Sequence, residues 1–385
     1  MVDLAATRLA GRTLQHDLLI VGPSLGTSVS SLWSECAEHL GQRFEVYGWD
    51  LPGHGRSAPA AGSFSVHDLA DAVCALADEL GRGRRCWYAG VSLGGMVGVE
   101  LARRCGPFEA VAAIASADRI GDPDSWRQRA AVVREGGTTV LVDGAVGRWF
   151  APGFSERRPT VAKRLLSALT AVDRASYAEC CDALAEADLS GRLSDIRVPL
   201  LLAPGSEDEV VLVAQARQVA SAALGARLRV LDRCGHLPPA EKPVRVAAIL
   251  TDFFDTASDQ QRRIRGIAVR REVLGVAHVD AAGTRVDRFT ADFQDLITRY
   301  AWGDIWARPG LDRTTRSVVT LTALVALGHW EEFALHVGAA VRNGLTAEEI
   351  SEVLLQTAIY CGVPAANRAF AVAQSVLSDG AAGKG

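Results

Sequence analysis

Short apolar runs alternate with helical repeats along the first two thirds of the chain. The apolar runs at 17–21, 44–49, 86–91, 110–115, 198–203 and 228–231 have the length and composition of buried strands. Between them lie segments with apolar residues at helical spacing, such as Val66 to Leu80, which Ser65 caps. Strands that alternate with helices predict a mostly parallel, doubly wound sheet of the α/β class.

Two stretches depart from this alternation. From Asp118 to about Ser190 the strand pattern gives way to helical, Arg-rich segments, which predicts a helical lid inserted into the sheet domain. After the polar connector at 256–261 only helical patterns follow, one of them opened by a capping box at Thr346 and Glu349. We therefore predict an α/β domain at 1–255, with its lid at about 118–190, and an all-α domain at 256–385.

Composition excludes several classes of function. The chain has 385 residues, a net charge of −4 and a pI of about 6.1, which does not suggest a nucleic-acid partner. Its eight cysteines form no CxxC pair, which favours reduced thiols over disulfides or a metal site. No apolar run approaches the roughly 18 residues of a membrane span, and the N-terminus lacks a secretory pattern. We expect a cytoplasmic protein with no membrane partner.

Ser92 lies in the turn between a predicted strand and a predicted helix, in Gly90-Val91-Ser92-Leu93-Gly94. A GxSxG turn of this kind lifts the serine hydroxyl clear of the sheet, as a nucleophile requires. The alternative is an ordinary glycine-rich turn. The residues downstream favour the nucleophile, because Asp208 and His236 each follow a later strand in the order Ser, Asp, His.

The chemistry assigns each of these residues a role. His236 would take the proton of Ser92, and Asp208 would orient and stabilise the imidazole. Glu207 and Glu209 are rival acids in the same loop. The oxyanion would be held by the backbone N–H groups of Leu25, in the loop after the first strand, and of Leu93.

His54 and a set of lid residues each have two possible roles. His54, in the turn Asp50 to Ser57, is interpreted as structural rather than as a base because it precedes the nucleophile. Arg127, Arg148 and Trp149 in the lid are candidates for binding a small anionic substrate, since guanidinium pairs with carboxylate. The alternative for any single lid arginine is a solvated helical face.

The motifs of the first domain resemble a known family. Asp50 to Ser57 resembles the D-x-P-G-H-G-x-S turn of α/β-hydrolases. Residues 22–27, 90–98 and 148–150 resemble the 3-oxoadipate enol-lactonase branch, with a likeness covering about 11–255. The resemblance implies hydrolysis of a small anionic lactone by a Ser-His-Asp triad.

The second domain resembles 4-carboxymuconolactone decarboxylase over about 260–375, in blocks at 270–280, 293–303, 306–311 and 360–367. That family shares its helical fold with alkyl-hydroperoxidase-like proteins, which use a CxxC pair ahead of a histidine. Here Trp330 and Phe333 stand in place of the cysteines before His336, which excludes thiol peroxidase chemistry. The substrate's lactone carbonyl can accept the electrons that decarboxylation leaves, so the resemblance implies no cofactor and no metal.

The resemblance makes His336 the candidate proton donor. Arg313 and Arg316 are the candidates for binding the retained carboxylate, and Arg308 is a weaker one. Without the resemblance, a satisfied core histidine would be the preferred interpretation of His336. His278 and His329 are competing candidates for the proton donor.

The two resemblances imply consecutive steps of protocatechuate breakdown. The sequence therefore predicts a bifunctional enzyme that turns 4-carboxymuconolactone into 3-oxoadipate enol-lactone and then into 3-oxoadipate. The alternatives are a general carboxylesterase with a non-catalytic helical oligomerisation domain and a non-catalytic binding protein on a hydrolase scaffold. We also expect a homo-oligomer that assembles through residues 256–385.

Overall fold

A computed structural model describes residues 2–11, 16–104, 106–196, 198–223 and 226–382. The chain divides into two units, Met1–Ser258 and Asp259–Gly385. The buried apolar side chains form one cluster in the first unit and two clusters in the second, so each unit has its own core.

The first unit is built on a seven-stranded sheet with the order β1-β3-β2-β4-β5-β6-β7. All neighbouring strands pair in parallel except β1, which is antiparallel to β3. This confirms the predicted α/β class. The strands are β1 (Ala6–Ala10), β2 (Asp17–Gly22), β3 (Phe44–Trp49), β4 (Cys86–Val91), β5 (Phe108–Ile114), β6 (Leu200–Ala203) and β7 (Arg227–Leu228).

Two of the helices that connect the strands, α1 (Val29–Leu40) and α2 (Val66–Gly81), begin at side-chain caps. Ser65 caps the predicted helix by accepting from the backbone N–H of Asp68, and Ser28 does the same from Ser31. The helices outside the lid are α1 (Val29–Leu40), α2 (Val66–Gly81), α3 (Leu93–Ala102), α9 (Val213–Ala222), α10 (Pro238–Glu241) and α11 (Pro243–Leu274).

The segment between β5 and β6 is helical, as the predicted lid requires. Its α-helices are α4 (Pro123–Gly136), α5 (Val142–Trp149), α6 (Phe154–Arg157), α7 (Pro159–Thr170) and α8 (Arg174–Glu186). Two 3₁₀ helices, Thr138–Leu141 and Ser190–Asp195, complete it.

All the secondary-structure elements among the described residues of the second unit are helices. Its helices after α11 are α12 (Val276–Gly283), α13 (Ala291–Ile297), a π-helix (Thr298–Trp306), α14 (Arg313–Leu327), α15 (Trp330–Arg342), α16 (Ala347–Cys361) and α17 (Val363–Ala382). The capping box predicted at Thr346 and Glu349 is present at the start of α16.

The predicted polar connector at 256–261 lies inside α11 rather than in a loop. The segment has no Gly or Pro to end a helix, and the hydroxyl of Thr256 donates to the carbonyl of Asp252 one turn earlier, at 2.6 Å. Its polarity therefore does not mark a break in the helix. None of the helices formed by the described residues combines the length and apolar character that a membrane crossing needs.

Candidate active sites

Ser92 occupies a strained turn between β4 and α3. Its φ of 55° and ψ of −117° lie in a region that non-glycine residues rarely adopt. The backbone N–H of Ser92 donates to the carbonyl of Ile114 at 3.0 Å, and Ser116 Oγ donates to the carbonyl of Ser92 at 2.8 Å. The neighbouring strand β5 and the residue Ser116 beyond it thus hold the strained residue on both sides.

The glycines around Ser92 are required by close backbone contacts. A Cβ at Gly90 would collide with the carbonyl oxygen of Gly94, and a Cβ at Gly94 would lie 2.5 Å from the carbonyl oxygen of Pro23. The sequence pattern and the geometry of the turn therefore have one cause: no side chain fits at these positions.

Asp208 and His236 are brought together at the same edge of the sheet as Ser92. His236 Nδ1 lies 2.9 Å from Asp208 Oδ2 and 3.0 Å from Oδ1, with both side chains buried. Asp208 Oδ1 also accepts from the backbone N–H groups of Val210 at 2.8 Å and Val211 at 3.0 Å. Ser92, Asp208 and His236 follow β4, β6 and β7, whose carboxyl ends share one edge because these strands run parallel.

Hydrogen bonds hold the two segments that carry the proposed oxyanion donors, Leu25 and Leu93. The backbone N–H of Gly94, next to Leu93, donates to the carbonyl of Pro23 at 3.0 Å. The backbone N–H of Gly26, next to Leu25, donates to His54 Nε2 at 3.2 Å. Within the described part of the chain, neither Leu25 N–H nor Leu93 N–H donates to a protein acceptor, which leaves both available to an oxyanion.

His54 is held as a neutral ring. Its Nδ1 lies 2.8 Å from the carbonyl of Pro52, and its Nε2 accepts from Gly26, so the proton belongs on Nδ1. Burial lowers the pKa of His54 from 6.5 to about 4. The ring also stacks on Tyr177 of the lid, with centroids 6.2 Å apart. These contacts fit the structural interpretation of His54.

The lid reaches the site through Trp149. Its carbonyl accepts from the backbone N–H of His236 at 2.9 Å, and its ring lies against Gly26, where a Cβ would be 3.2 Å from Trp149 Cζ2. Arg148 is half-buried, and its Nε is buried without a hydrogen-bond partner. An unpaired buried donor on a cation is suited to an anionic ligand.

The structure does not bring Arg127 to the site. Its side chain is 57% exposed and pairs with Asp124 at 2.7 Å along the outer face of α4. The expectation that Arg127 binds substrate is therefore not supported by its position. On the same helix Arg129 is half-buried, with its guanidinium 5.1 Å above the ring of Trp126.

In the second unit, His336 lies among aromatic and cationic side chains. Its ring is stacked against Trp306, with centroids 6.3 Å apart and planes at 25°, and Trp306 stacks in turn on Trp302 at 5.3 Å. Burial lowers the pKa of His336; Glu332 opposes this shift and Arg342 adds to it. The competitors His278 and His329 are both exposed, which leaves His336 as the histidine in a partly dry environment.

Arg313 and Arg316 each have an unsatisfied buried nitrogen. Arg313 Nη2 donates to Glu272 at 3.0 Å and Arg316 Nη2 donates to the carbonyl of Arg308 at 2.9 Å, yet Arg313 Nη1 and Arg316 Nε are buried without partners. A substrate carboxylate could satisfy donors of this kind.

Two charged residues were not found by sequence reasoning. Arg342, on the same helix as His336, is exposed and donates from Nε to the carbonyl of Val273 at 3.1 Å. Glu241 is buried five residues after His236. For Glu241 a signal existed, since it is the one acid in the otherwise apolar stretch from Leu237. For Arg342, one arginine among many, there was none.

The fold and the strained serine turn define the first unit as a hydrolase of the α/β type. A family model described as "Alpha/beta hydrolase family" matches residues 18–249, and one described as "Carboxymuconolactone decarboxylase family" matches residues 291–375. The chain belongs to the alpha/beta hydrolase family in its first unit and to the carboxymuconolactone decarboxylase family in its second.

Different relatives match the two units. The 4-carboxymuconolactone decarboxylase of Acinetobacter baylyi is 44% identical over 122 residues, which is 32% of this chain and 91% of the relative. The 3-oxoadipate enol-lactonase 2 of the same organism is 34% identical over 226 residues, which is 58% of this chain and 84% of the relative. A crystal structure of the enol-lactonase from Burkholderia xenovorans is 32% identical, with a TM-score of 0.63, and covers 66% of this chain and 97% of that one.

Proposed function

We propose that the chain is a bifunctional enzyme that decarboxylates 4-carboxymuconolactone to 3-oxoadipate enol-lactone and hydrolyses that product to 3-oxoadipate. The observation that carries the proposal is that relatives of the two units are named for these two reactions. The product of one is the substrate of the other. This also argues against a general esterase with an inert helical domain, because the helical unit belongs to a family of enzymes.

In the first unit, Ser92 Oγ attacks the lactone carbonyl while His236 Nε2 takes its proton. The oxyanion is held by the N–H groups of Leu25 and Leu93. Collapse of the intermediate opens the ring and expels an enolate, which becomes a ketone when it is protonated on carbon. Water then attacks the acyl-enzyme, and His236 returns the proton to Ser92. Arg148 and Trp149 are the lid residues proposed to bind the substrate.

In the second unit, the bond between the ring carbon and its carboxylate breaks and carbon dioxide leaves. The electron pair passes through the ring double bond to the lactone carbonyl, and the carbon next to that carbonyl takes a proton. His336 is the proposed donor, although burial lowers its pKa. A bound anionic substrate would raise that pKa again, so protonation and binding support each other. Arg313 and Arg316 hold the retained carboxylate.

The proposed homo-oligomer is supported by the surface of the second unit. Large apolar side chains there are exposed to an extent unusual for a free domain, reaching 93% for Phe289 and 80% for Tyr360. Others are Phe293, Leu327, Ile359 and Val363. Light scattering on the intact chain should give a multiple of its 40.9 kDa mass, and a monomeric mass would exclude the assembly. The described cysteines are free thiols, which supports the proposed cytoplasmic location.

The deciding experiment follows the fate of 4-carboxymuconolactone by NMR. The intact chain should give 3-oxoadipate, Ser92→Ala should stop at the enol-lactone, and His336→Ala should leave the starting lactone but still hydrolyse added enol-lactone. His329→Ala, at an exposed histidine, is the matched control and should behave as wild type. A wild-type chain that releases no carbon dioxide would remove the decarboxylase proposal and favour the esterase.

A further inference from the structure

The carboxylate of Glu241 joins two segments that carry site residues. Glu241 is the last residue of α10 and is 9% exposed. Its Oε1 accepts from the backbone N–H of Gly235 at 3.0 Å, and its Oε2 accepts from the backbone N–H of Ala151 at 3.2 Å. Gly235 immediately precedes His236, and Ala151 lies two residues after Trp149. One side chain therefore contacts both the loop of the base and the end of the lid.

The two segments also contact each other directly. His236 donates its backbone N–H to the carbonyl of Trp149 at 2.9 Å. A Cβ at Gly235 would lie 2.6 Å from the nitrogen of Ala151 and 2.8 Å from the carbonyl carbon of Phe150. The backbones are therefore packed as closely as glycine allows, and Glu241 closes the contact by satisfying one N–H on each side.

The two bonds from backbone N–H groups favour an ionised Glu241 carboxylate, although the side chain is buried. Burial raises the pKa of Glu241 to about 7, while hydrogen bonds from Ala151 and Gly235 act in the opposite direction. The charged and titratable groups that interact with it are Lys242, the next residue, and the thiol of Cys234. Glu241, Asp208 and Glu207 all raise the pKa of that thiol. Protonation would make one carboxylate oxygen a hydroxyl donor and a poorer acceptor, which would weaken its bond from the backbone N–H.

We propose that Glu241 is a positioning residue for hydrolysis: by binding Gly235 and Ala151 together, it fixes the imidazole of His236 and the Trp149 segment of the lid in their working arrangement. The inference rests on the proposed hydrolase function of Ser92 and His236. Glu241 itself touches no reacting atom in that mechanism. It acts on the reaction through the backbone on either side of the site.

The test measures how fast a fluorophosphonate labels Ser92 in the full chain, between pH 5.5 and 9. This rate reports how well His236 activates the serine, whatever the natural substrate is. In Glu241→Gln one of the two backbone N–H groups faces an amide NH₂, so that contact opens. A displacement of the His236 imidazole by about 1 Å should then slow labelling about tenfold to 100-fold. Glu38→Gln, at an exposed glutamate, should stay within twofold of wild type.

The pH dependence separates positioning from a loss of folded protein. Wild-type labelling should slow on the acid side as Glu241 takes up a proton and its contacts weaken, whereas Glu241→Gln should lack this component. A partly unfolded variant would instead show a smaller labelled fraction with the wild-type rate and profile. Labelling of Glu241→Gln at the wild-type rate and with the wild-type profile would overturn the proposal.

A second variant covers the case in which Glu241→Gln does not fold. Glu241→Asp keeps the charge but withdraws the carboxylate by one methylene, so it should label at an intermediate rate. The wild-type rate in this variant would also refute the proposal, because the contact needs the full reach of glutamate. If wild type labels at Ser92 but does not hydrolyse the enol-lactone, the proposed substrate is wrong while the role of Glu241 is still tested.

Discussion

Replacing Asp208 by Asn should disable hydrolysis without unfolding the first unit. Asp208 Oδ1 accepts from two backbone N–H groups, those of Val210 and Val211. In Asp208→Asn the amide oxygen must stay at that position, because an NH₂ group there would face two donors. The NH₂ then takes the place of Oδ2, the oxygen nearer to His236 Nδ1 at 2.9 Å. The amide oxygen at the Oδ1 position, 3.0 Å from Nδ1, is already occupied in accepting from Val210 and Val211.

This fixed orientation determines the size of the effect. An NH₂ facing Nδ1 needs a lone pair on that nitrogen, so the proton of His236 moves to Nε2. A protonated Nε2 cannot take the proton of Ser92. The corresponding change in serine proteases lowers kcat about 10⁴-fold, which is about 5 kcal/mol in the activation free energy, and we expect a loss of that order here. Because the backbone bonds are kept, the melting temperature should change little.

The assay is the rate of enol-lactone hydrolysis, with carbon dioxide release from 4-carboxymuconolactone measured on the same preparation. Decarboxylation should be unchanged and shows that the chain is intact. The rival acids Glu207 and Glu209 are both exposed, and their Gln variants should hydrolyse at the wild-type rate. If Asp208→Asn keeps more than a tenth of kcat while one of these variants loses it, the assignment of the acid is wrong.

Three further changes test other parts of the two sites. His336→Asn should lower kcat for decarboxylation about 10²-fold to 10⁴-fold and leave hydrolysis unchanged; equal losses in both assays would point to unfolding instead. Arg148→Ala should raise KM for the enol-lactone about tenfold, since a charge-assisted hydrogen bond is lost, while Arg127→Ala should stay within twofold; the reverse order would contradict the lid assignment. The pKa of His54 falls from 6.5 to about 4 on folding, so its contribution to the free energy of unfolding is complete above pH 6.5 and is lost as the pH falls to 4. Wild type should therefore lose about 3 kcal/mol more of its free energy of unfolding between pH 6.5 and pH 4 than His54→Asn does, measured by urea unfolding at each pH. Equal losses in the two proteins would mean that His54 is not held neutral.

The sheet could be predicted from sequence because its strands are buried on both faces. Such strands appear as continuous apolar runs, and β2 to β5 lie where those runs do. The edge strand β1 was missed because its five residues are half-buried or exposed and carry no such run. The sequence predicts the last strand at 228–231, and this is wrong in its bounds: β7 covers Arg227–Leu228, and Leu231 pairs only as an isolated bridge with Gly205.

Some of the site residues could also be predicted from the sequence, and others could not. Ser92, Asp208 and His236 could be found because each follows a strand, and strand ends are visible in the sequence. Which lid arginine faces inward depends on the rotation of a short helix, and sequence alone did not separate the exposed Arg127 from the half-buried Arg148. An isolated acid at Glu241 is visible in the sequence, but its role is not, because its partners are backbone N–H groups, which look the same in every residue.

The strained backbone of Ser92 sets a limit on how this chain can evolve. A φ of 55° with ψ of −117° costs a non-glycine residue about 1–3 kcal/mol, part of which glycine would recover. A mutation of Ser92 to glycine would therefore remove the nucleophile and stabilise the fold at once. Where hydrolysis is no longer under selection, nothing in the stability of the protein protects this codon. Natural descendants that have lost the activity should carry glycine here more often than chance substitution predicts.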